Sequence, residues 1–223
     1  MRNEELADDI LIVHWEKMRM ERNHKIEKVT DNPFLNLYHM DTTTKNGNKM
    51  NYYFASRNGE DEIKARTHST RGEGMAVYAV TRENPSRLVM IRQYRYPLDD
   101  FIYEIPAGLV EADETAEAAA VREMKEETGL ELDIYEGGEP YFRGPFFLAQ
   151  GITDESGKII YGYADGEVNL NAQEESEEIE VCFVDKKEGR RILAEERVSV
   201  RAALLLIQFL QANEKEPFAF LNE

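Results

Sequence analysis

The sequence predicts an α+β fold built around a mixed β-sheet, with a small antiparallel β-region before it. Two observations predict this fold: apolar and polar residues roughly alternate in several runs before residue 70, and longer apolar strands alternate with helical segments after it. At 223 residues, 42% of them hydrophobic, the chain can bury one core with an appendage, or two small domains. We therefore expect an N-terminal region at 1–70 and a larger domain at 71–223.

The N-terminal region begins with a predicted amphipathic helix, ELADDILIVHWEKMRM, which contains Trp15. Three runs of alternating polarity follow it: HKIEKVT, PFLNLYHM and KMNYYFASR. They are separated by DNP and KNGN, where Pro33 and the Asn46-Gly47 pair interrupt strands. An antiparallel sheet of so few strands is seldom stable alone. We expect it to pack on the rest of the chain or on a second copy of it.

The larger domain opens with two apolar strands, GMAVYAVT and RLVMIRQYR, joined by the turn RENPS. A helix is predicted from about Thr115, with Asp113 or Thr115 as N-cap and Gly129 as its left-handed end. Further strands are expected at LDIYEG, KIIYGYAD and IEVCFV. Two helices close the chain: KKEGRRILAEE, which Gly189 is expected to interrupt, and SVRAALLLIQFLQAN.

Charge and cysteine content exclude several classes of protein. The formal net charge of −17 argues against nucleic-acid binding, which draws on clustered Lys and Arg. A small anionic ligand remains possible if metal ions or a few placed arginines supply positive charge. Cys182 is the only cysteine, so no intramolecular disulfide can form. No apolar run approaches the length of a membrane span, and we expect a cytoplasmic protein.

The predicted helix carries three carboxylates on one face: Glu123, Glu126 and Glu127. Like charges at this spacing repel one another and destabilise a helix. Carboxylates gathered in this way form a hard oxygen site for Mg²⁺ or Mn²⁺, which relieves the repulsion. The alternative is an ordinary solvated helix face. The residues expected to face the core are Ala118, Ala119, Val121, Met124 and Leu130.

The spacing around these glutamates resembles the Nudix box over 23 residues, GLVEADETAEAAAVREMKEETGL. The residues that fill its fixed places are Gly108, Glu114, Arg122, Glu123, Met124, Glu126, Glu127, Gly129 and Leu130. The resemblance implies a Nudix hydrolase, an α/β/α sandwich that uses divalent metal to split a nucleoside diphosphate linked to another group. It implies that Glu114 lies at the mouth of the site.

The same resemblance implies roles for the residues of the site. Glu123 and Glu127 would be the principal metal ligands, and Glu126 a further ligand or a group that holds water. Arg122 would orient these carboxylates without binding the metal. The carbonyl of Ala107 would complete the metal shell, for which Mg²⁺ is expected and Mn²⁺ is possible.

The flanking stretch LVMIRQYRYPLDDFIYEIPAGLVEADE resembles the ADP-ribose pyrophosphatase group. On that match Arg95 would contact the diphosphate or the terminal ribose, and Glu104 would lie near substrate or metal. The N-terminal sheet also has a counterpart there, exchanged between two subunits, which implies a homodimer. Tyr52 would stack on adenine, with Arg57 close by. Without the resemblance, Arg95 would be interpreted as a surface arginine, Glu104 as a charge at a strand end and Tyr52 as a core aromatic.

An additional base in many Nudix enzymes comes from a loop beyond the box. The acidic stretch AQEESEEIEV lies in the corresponding region, where Glu177 is the best match and Glu175 and Glu178 are the competitors. The chain also departs from the group, because Gln150 stands where a proline is common, and Pro145 has an unusual context. This departure leaves the exact nucleotide sugar open.

Three functions are therefore compatible with the sequence. The first is a metal-dependent ADP-ribose or ADP-sugar pyrophosphatase that yields AMP and a sugar phosphate. The second keeps this chemistry for another nucleotide sugar, such as GDP-mannose. The third is a non-catalytic Nudix module that senses a nucleotide and binds a partner, although such modules tend to lose box glutamates and this box is intact.

Overall fold

The computed structural model describes residues 24–173 and 177–222. The chain divides into two compact units, the first running to Thr67 and including Gly151–Asp154, and the second comprising His68–Gln150 and Glu155–Glu223. The predicted helix around Trp15 lies outside the described residues. The inclusion of Gly151–Asp154 in the first unit is a feature that the sequence does not suggest.

The first unit contains a three-stranded antiparallel sheet, as the alternating runs predict. Its strands, in both chain and spatial order, are β1 (Lys25–Lys28), β2 (Asn36–Thr43) and β3 (Lys49–Ser56), and a short helix α1 (Lys64–Thr67) follows. The buried hydrophobic cluster of this unit consists of Ile26, Tyr38, Phe54 and Ile63. The rings of Tyr38 and Phe54 stack with centroids 5.4 Å apart.

The second unit is built on an eight-stranded sheet. Its strands are β4 (Gly74–Thr81), β5 (Leu88–Arg95), β6 (Asp100–Glu104), β7 (Ala107–Leu109), β8 (Glu131–Ile134), β9 (Phe146–Phe147), β10 (Ser156–Asp165) and β11 (Ile179–Val184). The main order is β11-β5-β4-β10-β8, with β6 paired to β5, β7 to β4 and β9 to β10. The β4–β10 pair is parallel and the other pairs are antiparallel, so the sheet is mixed, as predicted.

Three helices of the second unit follow from the sequence: α2 (Ala116–Thr128), α3 (Lys186–Glu195) and α4 (Val200–Gln211). Thr115 caps α2 by accepting a hydrogen bond from the Ala118 amide, and Gly129 ends it in the left-handed conformation. In the described part of the chain, no helix combines the length and the apolar composition that crossing a bilayer requires.

Helix α3 continues through Gly189, contrary to the expected interruption. A Cβ at Gly189 would lie 2.9 Å from Leu206 Cδ1 and 3.2 Å from Leu210 Cδ2 of α4. The missing side chain therefore lets the two helices approach each other. This packing offsets the low helix propensity of glycine.

The second unit is an α/β/α sandwich, because both faces of its sheet are covered by helices. Every residue of β4 is buried, and alternate side chains point to opposite faces. Tyr78 and Val80 belong to the hydrophobic cluster that contains residues of α3 and α4, whereas Val77 and Ala79 belong to the cluster that contains residues of α2. The predicted sandwich is confirmed.

The core-facing side of α2 differs in part from the predicted one. Ala118 and Val121 are exposed, whereas Ala116 and Ala120 are buried. Met124 is fully buried, as predicted. The small side chains at the start of α2 allow it to lie close to the sheet, so its orientation depends on contacts with β4 and β10 that the helical repeat alone does not specify.

Candidate functional site

The acidic side of α2 lies against β7, and a glycine allows this close approach. Strand β7 is held in the sheet by pairing with β4, with Gly108 opposite Met75. A Cβ built on Gly108 would lie 2.0 Å from Oε1 of Glu123 and 2.5 Å from its Cγ. Only glycine leaves room for the Glu123 carboxylate at this point. The first glycine of the box therefore has a direct steric role.

Glu127 is buried next to the same strand, with only 2% of its surface exposed. Its Oε2 accepts a hydrogen bond of 3.1 Å from the Ala107 amide. Burial raises the pKa of Glu127 well above its usual range, and the negative charges of Glu123 and Glu177 raise it further. The Ala107 amide and the positive charge of Arg95 act in the opposite direction.

Arg122 joins three carboxylates and one carbonyl. Its Nε and Nη2 donate to the two oxygens of Glu114, at 3.1 and 3.0 Å, and its Nη1 donates to Glu123 and Glu126, both at 2.9 Å. Nη2 also donates to the Leu109 carbonyl at 3.1 Å. Arg122 therefore orients the cluster and ties it to the end of β7. The hydrogen bonds from Arg122 lower the pKa of the Glu114 carboxyl.

The donor set fits a hard divalent cation. Burial raises the pKa of Glu123 despite its hydrogen bond with Arg122, and the charges of Glu126 and Glu177 add to the increase. Among the described residues no three acidic, His or Cys side chains converge closely enough to form a ready-made metal cage. Arg122 instead holds Glu123 and Glu126. The mutual repulsion of Glu123, Glu127 and Glu177 is the kind that a bound cation relieves.

The loop after β10 brings Glu177 toward these carboxylates. Its charge acts on both Glu123 and Glu127. The neighbouring Glu178 is oriented differently, because its carbonyl accepts from the Tyr94 amide at 3.0 Å and its charge acts on the Tyr94 hydroxyl. Glu175 lies outside the described residues. Of Glu177 and Glu178, it is Glu177 whose charge is among the main influences on the pKa values of Glu123 and Glu127.

Arg95 and Glu104 form an ion pair beside the cluster. They lie on adjacent antiparallel strands, where the register places Glu104 opposite Ile91 and Arg95 opposite Asp100. Arg95 Nε donates to Glu104 Oε2 at 3.0 Å, and Nη2 donates to the same oxygen. Glu104 is buried. The second unit thus brings together all of the predicted site residues that it contains: Arg95, Glu104, Ala107, Arg122, Glu123, Glu126, Glu127 and Glu177.

Comparison with known proteins identifies the family that has this arrangement. A family model described as the NUDIX domain matches residues 71–204. The chain belongs to the Nudix hydrolase family. The match covers the acidic helix, β7 and the loop that carries Glu177, so the site described above lies within the Nudix domain.

Relatives of the Nudix chain differ in how much of their length it covers. The ADP-ribose pyrophosphatase of Bacillus subtilis is 31% identical over 144 residues, 63% of this chain and 72% of that protein. A Caenorhabditis elegans relative, whose name describes it as a Nudix hydrolase, is 35% identical over 121 residues, 51% of this chain. The alignment spans 52% of that relative, about half its length.

A solved structure shares the Nudix fold. It is described as an ADP compounds hydrolase and is similar to this chain with a TM-score of 0.59 and 18% sequence identity. The match covers 86% of this chain and 95% of the other. Because the sequence identity is only 18%, this similarity supports the fold alone.

Two predicted substrate residues lie in the first unit of the Nudix chain. Tyr52 on β3 is 37% exposed, so it is not the core aromatic that its alternating strand alone suggests. Its hydroxyl donates to the Gly151 carbonyl at 2.7 Å. Arg57 follows β3 and is exposed. The stacking role of Tyr52 and the substrate contact of Arg57 stay predictions.

The charge of Arg201 interacts with residues of the candidate site, although the sequence analysis did not single it out. It occupies the first turn of α4, and its guanidinium is under the electrostatic influence of Glu104, Arg95 and Glu127. Its Nε is buried and has no hydrogen-bond partner in the part of the chain that the structure describes. A signal was present, because Arg201 is the only charged residue in the run VRAALLLIQFLQ. Arg201 is far from the Nudix box along the chain, so the sequence alone does not show that the two are close in space.

Proposed function

We propose that this Nudix protein hydrolyses the diphosphate bond of ADP-ribose, or a related ADP-sugar, to AMP and a sugar phosphate. The observation that carries the proposal is the cluster of Glu123, Glu127 and Glu177 beside β7, whose mutual repulsion calls for a cation. The relationship to the Bacillus subtilis ADP-ribose pyrophosphatase supports the choice of substrate class.

The metal-binding residues in this proposal are Glu123 and Glu127, with Glu126 and the Ala107 carbonyl as further donors. Mg²⁺ is the expected ion, and Mn²⁺ suits the same oxygen donors. A divalent ion bound there supplies positive charge to the diphosphate and acidifies water. Arg122 keeps Glu123 and Glu126 oriented through its hydrogen bonds to both.

Glu177 is the proposed general base. It accepts a proton from the water that attacks phosphorus, and the bond between phosphorus and the bridging oxygen breaks as the new bond to water oxygen forms. The two halves of the substrate leave as AMP and ribose 5-phosphate. Arg95 offers donors to a phosphate oxygen or a ribose hydroxyl, and Glu104 holds its guanidinium in place.

Selectivity has to come from the two ends of the substrate, because the cluster engages only the diphosphate. In this proposal Tyr52 stacks on adenine, an interaction of about 1–3 kcal/mol per base, and Arg57 lies beside it. We further propose a cytoplasmic homodimer in which the N-terminal region of one chain contributes these two residues to its neighbour's site.

Another nucleotide sugar, such as GDP-mannose, is the alternative substrate. It has the same diphosphate, and the departures at Pro145 and Gln150 fall in the region after the box where the chain differs from the ADP-ribose group. A non-catalytic nucleotide sensor is a weaker alternative, because every glutamate of the box is present.

A substrate panel with Mg²⁺ tests the proposal. We expect kcat/KM for ADP-ribose to exceed that for GDP-mannose and UDP-glucose by at least about tenfold, with AMP and ribose 5-phosphate as products. Chelation of divalent ions should abolish turnover, and added Mg²⁺ should restore it. Faster hydrolysis of GDP-mannose would contradict the ADP-ribose assignment and retain the Nudix chemistry, whereas no hydrolysis of any diphosphate would favour the non-catalytic sensor.

A further inference from the structure

A cleft in the second unit combines apolar walls with a partly buried arginine, Arg201. It has a volume of about 260 Å³. Its apolar walls are formed by Phe146, Phe147, Leu148, Val200 and Leu204, all of which are exposed. Arg201 lines the same cleft, together with Lys158, which pairs with Glu117 at 3.6 Å. An apolar cleft with a few convergent polar groups is a common form of small-molecule site.

The buried part of Arg201 lacks the compensation that a buried guanidinium normally has. Its Nε is enclosed by protein and donates to no acceptor among the described residues, whereas the residue as a whole is only partly buried and lines the cleft. Burial lowers the pKa of Arg201 and the positive charge of Arg95 adds to this effect, while the negative charges of Glu104, Glu155 and Glu127 oppose it only in part. Because a guanidinium stays protonated in proteins, the residue remains a cation with an unused donor. Such a group is costly to bury without a partner, and an anionic ligand would supply one.

The other two arginines near the acidic cluster are already engaged. All three nitrogens of Arg122 donate to protein oxygens. Arg95 donates through Nε and Nη2 to Glu104. A substrate phosphate would have to compete with these carboxylates for either of them. Arg201 Nε has no such competitor among the described residues.

The electrostatic neighbours of Arg201 connect it to the proposed reaction site. The charges of Glu104, Arg95, Glu155 and Glu127 all act on its guanidinium, and two of these residues, Glu104 and Arg95, form the ion pair beside the acidic cluster. A ligand that reaches both the cluster and the cleft needs a negatively charged centre and an uncharged adjacent part. A nucleoside diphosphate sugar has this composition, and the planar guanidinium fork matches phosphate oxygens.

We propose that Arg201 binds a phosphoryl oxygen of the substrate diphosphate, while the apolar walls of the cleft accept the uncharged part next to it. This inference rests on the proposed diphosphate hydrolysis and adds a residue to its substrate site. The contact exists in the bound substrate as well as in the transition state. Its loss therefore raises KM more than it lowers kcat.

The test compares Arg201→Met and Arg201→Lys with Arg190→Met. Arg190 is an exposed arginine of α3 whose Nη1 donates to the Lys186 carbonyl of its own helix, which makes it a matched control. We expect Arg201→Met to raise KM at least about tenfold with kcat within about threefold of wild type, and Arg201→Lys to give an intermediate KM. Arg190→Met should match wild type.

Thermal unfolding separates substrate binding from a structural role. Arg201→Met removes a buried charge with an unpaired donor, so its Tm should equal or exceed that of wild type. A lower Tm with KM within about twofold of wild type would overturn the proposal. Competitive inhibition by AMP and by ribose 5-phosphate should weaken for at least one of them in Arg201→Met, and unchanged inhibition by both would also overturn it.

The same assay distinguishes failure of this inference from failure of the proposed substrate. All kinetics are measured with the diphosphate substrate that wild type hydrolyses best in the panel. If that substrate is GDP-mannose, the ADP-ribose assignment fails, yet the effect of Arg201→Met is still expected because the diphosphate is common to both. If ADP-ribose is best and KM is unchanged in Arg201→Met, only the role of Arg201 is wrong.

Discussion

Glu127 has a buried carboxylate whose nearest support is a single backbone amide. The Ala107 amide donates to one of its oxygens, while burial and two neighbouring glutamates oppose its charge. A residue in this position gains from a cation more than an exposed glutamate does, because the repulsion around it is larger. Its place in the cluster supports the metal-binding role that we propose for it.

Replacement of Glu127 by Gln tests this role. The amide has nearly the same volume but cannot supply a charged ligand, so we expect turnover to fall by at least about 100-fold at saturating Mg²⁺. Loss of one repelling charge should leave Tm unchanged or higher. Glu131→Gln is the control, since Glu131 is an exposed carboxylate paired with Lys125. A Glu127→Gln enzyme that keeps more than about a tenth of wild-type turnover would exclude the metal-ligand role.

At the scale of elements, most strands and helices are predictable from the sequence. The run GMAVYAVT coincides with β4 and IEVCFV with β11, because short runs rich in β-branched and aromatic residues favour strands. The unbroken course of α3 at Gly189 is not predictable, because it depends on contact with α4. The same holds for Gly151–Asp154, whose place in the first unit depends on long-range hydrogen bonds such as that from Tyr52.

In the candidate site, too, the residues that are close together in sequence can be predicted, whereas those that long-range contacts bring together cannot. The Nudix box lies on one loop and one helix, so its spacing is visible in the sequence. Arg201 joins the site only because α4 packs on the sheet, and no local pattern encodes that distance. The choice of Glu177 over Glu178 likewise depends on how the loop turns before β11, which sequence spacing alone leaves open.

The approach of β7 to α2 gives a prediction at the level of these two elements. Gly108→Ala would place a methyl group 2.0 Å from Glu123 Oε1, so the carboxylate has to move. We expect kcat/KM to fall at least about tenfold, because a small misplacement of a catalytic group is costly. Higher Mg²⁺ should recover part of the loss. Gly59→Ala is the matched control, since its nearest heavy atom would be a Glu62 oxygen at 3.6 Å; equal activity of both variants would contradict the steric role of Gly108.

The whole molecule carries a net charge of −17, which opposes the approach of an anionic substrate. Metal ions and a few arginines therefore have to provide local attraction within an acidic surface. This condition favours a site assembled from several elements, each of which contributes one cation. In the proposed homodimer, Arg57 would add another from the neighbouring chain.

Subunit complementation tests that homodimer, because the two groups of residues would act on different chains. Glu127→Gln and the double variant Tyr52→Ala with Arg57→Ala should each be weakly active alone. After mixing and subunit exchange, half of the sites in a mixed dimer would combine an intact box with an intact Tyr52 and Arg57. Random exchange then restores about a quarter of wild-type activity.

Two controls make the complementation result decisive. A chain that carries all three substitutions forms no intact site in a mixed dimer with wild type, so equal mixing and random exchange should lower the activity of the wild-type subunits by about half. Light scattering should give the mass of a dimer at micromolar concentration. If each site were built from a single chain, every site in the mixture of Glu127→Gln with the double variant would still contain a substitution. Mixing would then restore nothing, and a monomeric, fully active protein would exclude the shared site altogether.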